Sequence, residues 1–391
     1  MSRNMSANIE NKKNIIIINS SDTFEYRIDM VYKFLKSKGH KVKVITSDFM
    51  HIEKKRRTKD NKDYILLKTL AYKKNISISR ILSHYLFAKK AGRIIKNVKF
   101  DMLYIVVPPN FQASVAKRYK DNPNVKIIMD IIDMWPESFP SNRTDKFPFT
   151  IWKSIRDKNL SYADLIITEC DLYQQRLEKY LDKDKTKTVY WAHNANELFC
   201  KPDIGKLSNE KIKLCYLGSI NNIVDIEKIG QVIKAISQRK NVELNIIGSG
   251  ERKEELIACA KANGALVNDH GKVYDYLKKK SIMDECHYGI NIMKDSICVG
   301  LSMKSIDYFE CGLPIINNLS GDLGKIIDEK QCGINIYEDD WLDKLFELEN
   351  IEARKQNASN TFKEMFAQDV FFSQMEMIFD ENSSRNSDLL S

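Results

Sequence analysis

Short apolar runs bounded by polar turns alternate along this chain with segments of helical period. Asn14 to Asn19, Lys41 to Thr46, Met102 to Val107, Lys126 to Met129, Leu165 to Thr168 and Thr188 to Trp191 read as strands. Segments near Glu25 to Lys38, Asn110 to Tyr119, Pro148 to Tyr162 and Asp171 to Leu181 read as helices between them. Asn196 to Asn209, with Pro202, Gly205 and little periodicity, reads as a linker. Leu214 to Leu217, Val242 to Ile247, Gly289 to Ile292, Pro314 to Ile316 and Gly333 to Ile336 then supply strands of a second set, and Ile351 to Phe379 looks helical. Alternating strands and helices of this kind predict an α/β fold with parallel sheets built from βαβ units. In open sheets of that type, ligands bind beyond the carboxyl ends of the strands.

A length of 391 residues agrees with two domains, each large enough to bury its own core. The expected division is residues 1–200, residues 201–360, a terminal helix over 361–380 and a disordered tail over 381–391. Eight cysteines without a C-x-x-C pair read as reduced thiols, several of them in apolar runs, and point to a cytoplasmic compartment. No apolar run approaches the roughly 20 residues that span a bilayer, and the polar start lacks a signal peptide's apolar core. Charge is uneven: residues 1–200 hold 38 basic against 22 acidic side chains, and residues 201–391 hold 24 against 31. Residues 51–100 alone hold 15 against 3, a patch that would attract an anionic membrane surface. Within it, Ser79 to Val98 reads as a basic amphipathic helix with Lys89, Lys90 and Arg93. The plainer reading packs its apolar side on the first sheet and leaves its lysines solvated. The patch has few interleaved aromatics and no nucleic-acid motif, so no nucleic-acid partner is expected.

The stretch richest in chemistry is Gly300 to Pro314, GLSMKSIDYFECGLP. It reads as a glycine-opened loop and a helix of about two turns, closed by Gly312 and Pro314 before a buried strand. A helix N-terminus is an anion site because its free N–H groups and positive dipole end point outward. Lys304 adds a full charge there, and Asp307, one turn on, can accept hydrogen bonds from a pair of ribose hydroxyls. Together they suit a nucleotide, although a solvated i, i+3 pair is the plainer alternative.

This stretch resembles the donor-binding segment of bacterial GT-B glycosyltransferases (glycosyltransferase group 1, retaining) of the capsule and exopolysaccharide type. DMLYIVVPPNF at 101–111, DIIDMWPES at 130–138, AHNANELFCKP at 192–202, LCYLGS at 214–219 and LNIIGSGE at 244–251 resemble further segments of the family, in the family's order. The resemblance implies a GT-B fold, two Rossmann-like domains facing across a cleft, with the terminal helix crossing back to the first domain. It departs at Val299, where the family commonly has the first of two glutamates; Asp307 falls at the second. It departs again at residues 218–222, which lack the family's basic pair, and at Ser20-Ser21-Asp22, which replaces an amino-terminal glycine loop.

On that resemblance, the diphosphate of a nucleotide-sugar, UDP-linked, is expected at Lys304 and the amides of Gly300, Leu301 and Ser302. Gly218 and Ser219 would close the other side, with Gly248 at the neighbouring turn, and the backbone around Val273 would hold the base. Gly248 has a plainer reading as part of a strand-to-helix turn. Asp133 and Glu137 bracket Trp135-Pro136 and are the expected catalytic carboxylates, Asp133 toward the acceptor hydroxyl. Otherwise Asp133 caps a helix and Trp135 fills the core. Arg27 would hold an acceptor phosphate, or is a surface cation. His193 would reach the cleft from the hinge, or is structural. No metal is expected, because nothing near Asp130 and Asp133 completes a coordination shell, and no cofactor beyond the nucleotide-sugar substrate. The implied activity is sugar transfer to a lipid-linked saccharide or growing surface polysaccharide, with retention at the anomeric carbon, by a cytoplasmic enzyme at the inner face of the membrane. A sugar-nucleotide epimerase and a non-catalytic partner subunit are the alternatives.

Overall fold

The structure is a computed structural model of the full chain and describes residues 12–75, 77–139, 144–194, 202, 207 and 210–384. The polar start, residues 195–201 of the segment AHNANELFCKP, most of the expected linker and the end of the tail lie outside the described residues.

The chain divides into two units with an interleaved boundary. The first comprises Met1–Trp135, Phe147–Thr168 and Leu177–Lys187, and the second Pro136–Lys146, Glu169–Arg176 and Thr188–Ser391. In the first, β1 (Asn14–Asn19), α1 (Glu25–Ser37), β2 (Lys41–Ser47), β3 (Tyr64–Leu67), α2 (Ile78–Ile94), β4 (Met102–Val107), β5 (Lys126–Ile131), α3 (Phe149–Asn159) and β6 (Leu165–Thr168) build most of one sheet and its helices. The helix α4 (Asp171–Leu177), all but its last residue in the second unit, and the strand β7 (Thr186–Thr188) follow, and the strand order is β3-β2-β1-β4-β5-β6-β7. Pairing is parallel from β3 through β6. A parallel strand covered by helices on both faces buries every side chain, which is why β4 reads MLYIVV without a charged residue.

The second unit holds β8 (Lys211–Ser219), α5 (Ile226–Ser237), β9 (Asn241–Ser249), α6 (Lys253–Ala262), β10 (Ala265–Gly271), α7 (Tyr276–Asp284), β11 (Tyr288–Asn291), α8 (Met303–Glu310), β12 (Ile315–Asn317), α9 (Asp322–Lys330) and β13 (Gly333–Asn335). Helices α10 (Trp341–Phe346), α11 (Ile351–Thr361) and α12 (Gln368–Ser384) end the chain. The second sheet is fully parallel in the order β10-β9-β8-β11-β12-β13. Its core gathers Ile212, Leu214, Leu244, Ile246, Ile290 and Ile316 against the apolar faces of α5 and α6.

The hydrophobic pattern leaves β3 and β10 unmarked, and both are edge strands. β10 is ALVNDHG with Ala265 alone buried, so the two-sided burial that makes the central strands legible is missing. The segment expected as a last strand at Thr188–Trp191 pairs earlier, at Thr186–Thr188. Strands β8 and β9 also run further than the apolar pattern indicates. Gly218 and Ser219 stay in register with Gly248 and Ser249, so these glycines end a paired ladder.

Candidate functional site

Strand order in the second sheet reverses between β8 and β11, the place where open α/β sheets open a ligand crevice. Those two strands pair only through Tyr288 with Leu214 and Gly289 with Cys215. Beyond that pair the fully buried Tyr308, from α8, inserts its hydroxyl. It accepts from Leu217 N at 2.7 Å and lies 3.1 Å from Cys215 O and 3.2 Å from Ile290 O. Its ring fits because residue 289 is glycine: a Cβ there would stand 2.8 Å from the ring. At the ends of β8 and β9 a Cβ on Gly248 would meet Gly218 O at 2.0 Å, so that backbone approach requires glycine. Gly218 itself has φ +109 with open space on its side-chain face.

Helix α8 starts at this end of the sheet. Ser302 is its N-cap residue, yet the hydroxyl turns inward, to Asn291 Oδ1 at 2.8 Å and Ser305 Oγ at 2.6 Å, and gives the first turn no side-chain cap; of that turn, the Ser305 amide donates to Ser302 O at 3.0 Å. Leu301 is buried beneath. Lys304 has no carboxylate partner among the described residues; its ammonium stands 4.8 Å from the centre of the Tyr216 ring, and burial pulls its pKa down to about 7. Asp307 does not join Lys304 as an i, i+3 pair. Its carboxylate binds Lys279 of α7 at 2.6 Å, and this contact holds the Lys279 pKa above its ordinary value against the opposing effect of burial. Gly300, expected to open an anion loop, is first required by packing: a Cβ there would stand 2.7 Å from both Asp322 Oδ2 and Cys170 Sγ. Asp322 is occupied in turn by the amides of Asp171 and Leu172 and by the Tyr190 hydroxyl. Val299 lines a pocket of about 360 Å³ with Arg176, Lys294, Ser320 and Lys325. Val273 is half-buried in the segment after β10, beside the exposed Tyr274.

His193 is drawn into a structural contact, with Nδ1 at 2.9 Å from Glu310 Oε2 and its amide donating to Phe366 O. One further grouping lies away from Asp130 and Asp133, in the second unit. Ligand atoms of His193, Asp307 and Glu310 lie within 4.8 Å of one another. Lys279 supplies one positive charge, beside Asp307, against the two carboxylates of this cluster.

In the first unit, Asp133 is no helix cap, since the next helix begins at Phe149. Its carboxylate accepts from its own neighbours, Met134 N and Trp135 Nε1, each at 2.7 Å. Trp135 is buried, as the plainer reading expects. Glu137 is half-buried and falls across the boundary, in the second unit, so the two carboxylates do not form one bracket within a unit. Arg27 corrects the reading as an accessible cation. It is wholly enclosed and binds Asp130 through Nε at 2.9 Å and Nη2 at 3.0 Å, and Tyr104 donates to the same carboxylate at 2.7 Å. The Nε and Nη2 groups of Arg27 are thus taken up by Asp130 in the core, and the side chain has no exposed surface.

Helix α2 keeps Lys89, Lys90 and Arg93 on its wet face as expected and buries Ala88, with Ile95 buried just past its end, but departs from the expected faces where Arg80 turns inward and Leu82 and Tyr85 outward. Arg80, Ser83, His84, Phe87 and Ala91 face inward, whereas Ile78, Leu82 and Tyr85 stay exposed, next to the exposed Lys89, Lys90 and Arg93. Lys89 lies over the Tyr85 ring at 5.8 Å, and Lys90 donates to Lys68 O. Tyr308, Lys279, Arg80 and His84 carry no sequence signal of a site. A buried tyrosine reads as core, and charged residues inside a basic amphipathic pattern read as its wet face.

Residues 211–348 match the family model described as Glycosyl transferases group 1. No curated protein sequence matches the chain. Among solved structures it is similar to the lipopolysaccharide outer core galactosyltransferase WaaB in its apo form, at TM-score 0.65 and 12% identity over 94% of this chain and 99% of that one. It is similar to sucrose-phosphate synthase from Thermosynechococcus elongatus, at TM-score 0.67 and 13% identity over 96% and 100%. It is also similar to HepE of Anabaena in complex with UDP and glucose, at TM-score 0.60 and 11% identity over 94% and 100%. The chain thus has the two Rossmann-like sheets of the GT-B fold and, over residues 211–348, carries a glycosyl transferases group 1 domain.

Proposed function

We infer that this protein transfers a sugar from a nucleotide-sugar donor, UDP-linked, to a lipid-linked saccharide of a surface polysaccharide, working at the inner, anionic face of a membrane. The observation that carries this reading is Lys304, a lysine without a carboxylate partner among the described residues, at the uncapped start of α8 beside the strand-order reversal. A departing diphosphate needs cationic and N–H stabilisation at that place. Lys304 and the first amides of α8 provide it, with Gly218 and Ser219 presenting open backbone opposite. Asp307, oriented by Lys279, is assigned to the ribose, and the backbone at Val273 to the base. In the transfer, the bond from the anomeric carbon to the diphosphate oxygen breaks and one to the acceptor oxygen forms. Asp133 is assigned to receive the hydroxyl proton.

HepE, of the same fold, binds UDP, which supports a uridine nucleotide. The outward apolar residues Ile78, Leu82 and Tyr85, beside three exposed cations, support attachment to a membrane surface. No described helix is long and apolar enough to cross a membrane.

The test is calorimetric titration with UDP, GDP, CDP and TDP, on the wild type and on Lys304→Ala. Selective binding of one nucleotide, lost in the variant, is the expected result. Nucleotide release that does not depend on acceptor lipid would point to an epimerase. Val299, in place of an acid, favours a second reading, a non-catalytic partner subunit, and failure to bind any of the four nucleotides would select it.

A further inference from the structure

In the first sheet the strand order reverses between β1 and β4, so the segment after β1 opens where α/β sheets take ligands. Ser20 stands there. The first two turns of α2 send Arg80 and His84 to the same region, and the three residues are only 9%, 7% and 6% exposed. Even so, Ser20 Oγ, Arg80 Nε and His84 Nδ1 have no hydrogen-bond partner. One buried polar group left unpaired costs about 1–3 kcal/mol; Ser20 and His84 line one small cavity, and Arg80 lies one helical turn before His84, so the three call for a ligand at its rim.

They surround Tyr72. Its ring is edge-on to His84 at 6.2 Å and lies 6.0 Å from the Arg80 guanidinium, and with Ser20 and His84 it lines a narrow cavity. Arg80 and His84 are further held by aromatic faces: the guanidinium is 4.6 Å from Trp135, and the imidazole stacks on Trp135 at 6.0 Å and Trp152 at 6.5 Å. The other end of Arg80 donates to Asn75 O at 2.6 Å, which fixes the fork while leaving Nε–H undirected.

The Arg80 Nε–H can only donate, and the serine hydroxyl and imidazole can, so the partner they share is an acceptor. Lys54, 4.9 Å from the Tyr72 ring, adds to the positive surroundings, and His51, bonded to the Tyr72 hydroxyl at 2.9 Å, stands beside it. Burial first, then Arg80 and Lys54, bring His51 down to about 3; burial, then Arg80 and His51, lower His84 as well, so both imidazoles are neutral at pH 7. The nearby carboxylates are engaged: Asp22 accepts from His51 N and Ile52 N, and Asp133 from Met134 and Trp135. The cavity volume is about 10 Å³, room for no more than a single oxygen atom.

We propose that Ser20 and His84 receive one terminal oxygen of an oxyanion carried by the acceptor, a phosphate or a carboxylate, with the rest of that group outside the cavity toward Arg80 and Lys54. This rests on reading the first unit as the acceptor-binding one. The acceptor is accordingly an anionic saccharide, and its charge is recognised by Arg80 instead of Arg27.

The experiment is titration of the full chain with inorganic phosphate, glucose 1-phosphate and glucuronate, with glucose as the neutral control. Heat and tryptophan fluorescence are read together, since two of the four tryptophans stack on His84. Saturable binding of at least one anion, absent for glucose, is expected. It should persist in Lys304→Ala, which separates it from the nucleotide site, weaken about tenfold or more in Arg80→Gln, and weaken several-fold in Ser20→Ala. Should Arg80→Gln fail to fold, Ser20→Ala carries the comparison. The tighter of the phosphate and carboxylate probes names the source of the charge. Equal affinity in the variants, or no saturable response to any anion, overturns the proposal and assigns the cavity to a water molecule. Loss of UDP binding alone bears on the donor reading and leaves this one standing.

Discussion

The ammonium of Lys304 stands 4.8 Å over the ring of Tyr216, while the carboxylate one turn further along α8, Asp307, is turned to Lys279. Cation and acid share a helix but answer to different neighbours. Burial without a counter-charge leaves the Lys304 pKa at about 7, and a bound diphosphate would raise it. Binding therefore takes up a proton above that value. UDP affinity should be flat from about pH 6.5 to 7 and then fall, by about tenfold per pH unit at most, until the pKa of the bound form is reached. The terminal phosphate of UDP, ionising near pH 6, adds little to that slope. Calorimetry across this range checks it, and an affinity unchanged to about pH 9 in the wild type would show that Lys304 does not meet the diphosphate.

Tyr308 holds β8 and β11 apart with one hydroxyl shared among three backbone groups. In Tyr308→Phe the Leu217 amide loses its acceptor, at a cost of about 1–3 kcal/mol. The unfolding midpoint should fall by roughly 2–8 °C, and UDP affinity should fall with it, because the strand ends that present Gly218 would close. A variant with wild-type midpoint and affinity would show that the gap between the strands does not depend on the hydroxyl.

Among the described residues, removing Arg27 leaves the enclosed Asp130 carboxylate with the Tyr104 hydroxyl as its side-chain partner. Breaking a buried pair from one side costs about 3–5 kcal/mol, whereas replacing both partners by apolar groups is often neutral. Arg27→Met should therefore be strongly destabilised in urea, and Arg27→Met with Asp130→Leu should recover most of the loss. A double variant as unstable as the single one would mean that geometry, and not charge, sets the cost.

Neutralising Lys89, Lys90 and Arg93 to glutamine should reduce binding to phosphatidylserine vesicles at low salt. Each exposed cation is worth about 1 kcal/mol near such a surface, so the three together amount to about a hundredfold. Wild-type binding should weaken likewise as salt shortens the screening length. Vesicle sedimentation that does not distinguish the variant would remove these residues from any membrane contact.

The repeating strand and helix signals, the glycine-bounded segment at 300–314 and the absence of a run long enough to span a bilayer were legible from order and composition. Each depends on local periodicity or on the conformational needs of a few consecutive residues. Partnership was not legible. Arg27 and Arg80 each lie in the first turn of a helix of the first unit, and nothing within a turn of either distinguishes them. Arg27 is consumed by Asp130, 103 residues away, and Arg80 keeps an undirected donor among aromatic rings. In the same way, Glu310 claims His193 across 117 residues, and Lys279 claims Asp307 from another helix. Burial pattern along a chain reports which face of an element is covered. What a charged group meets beneath that cover is set by elements distant in sequence, and only their packing decides it.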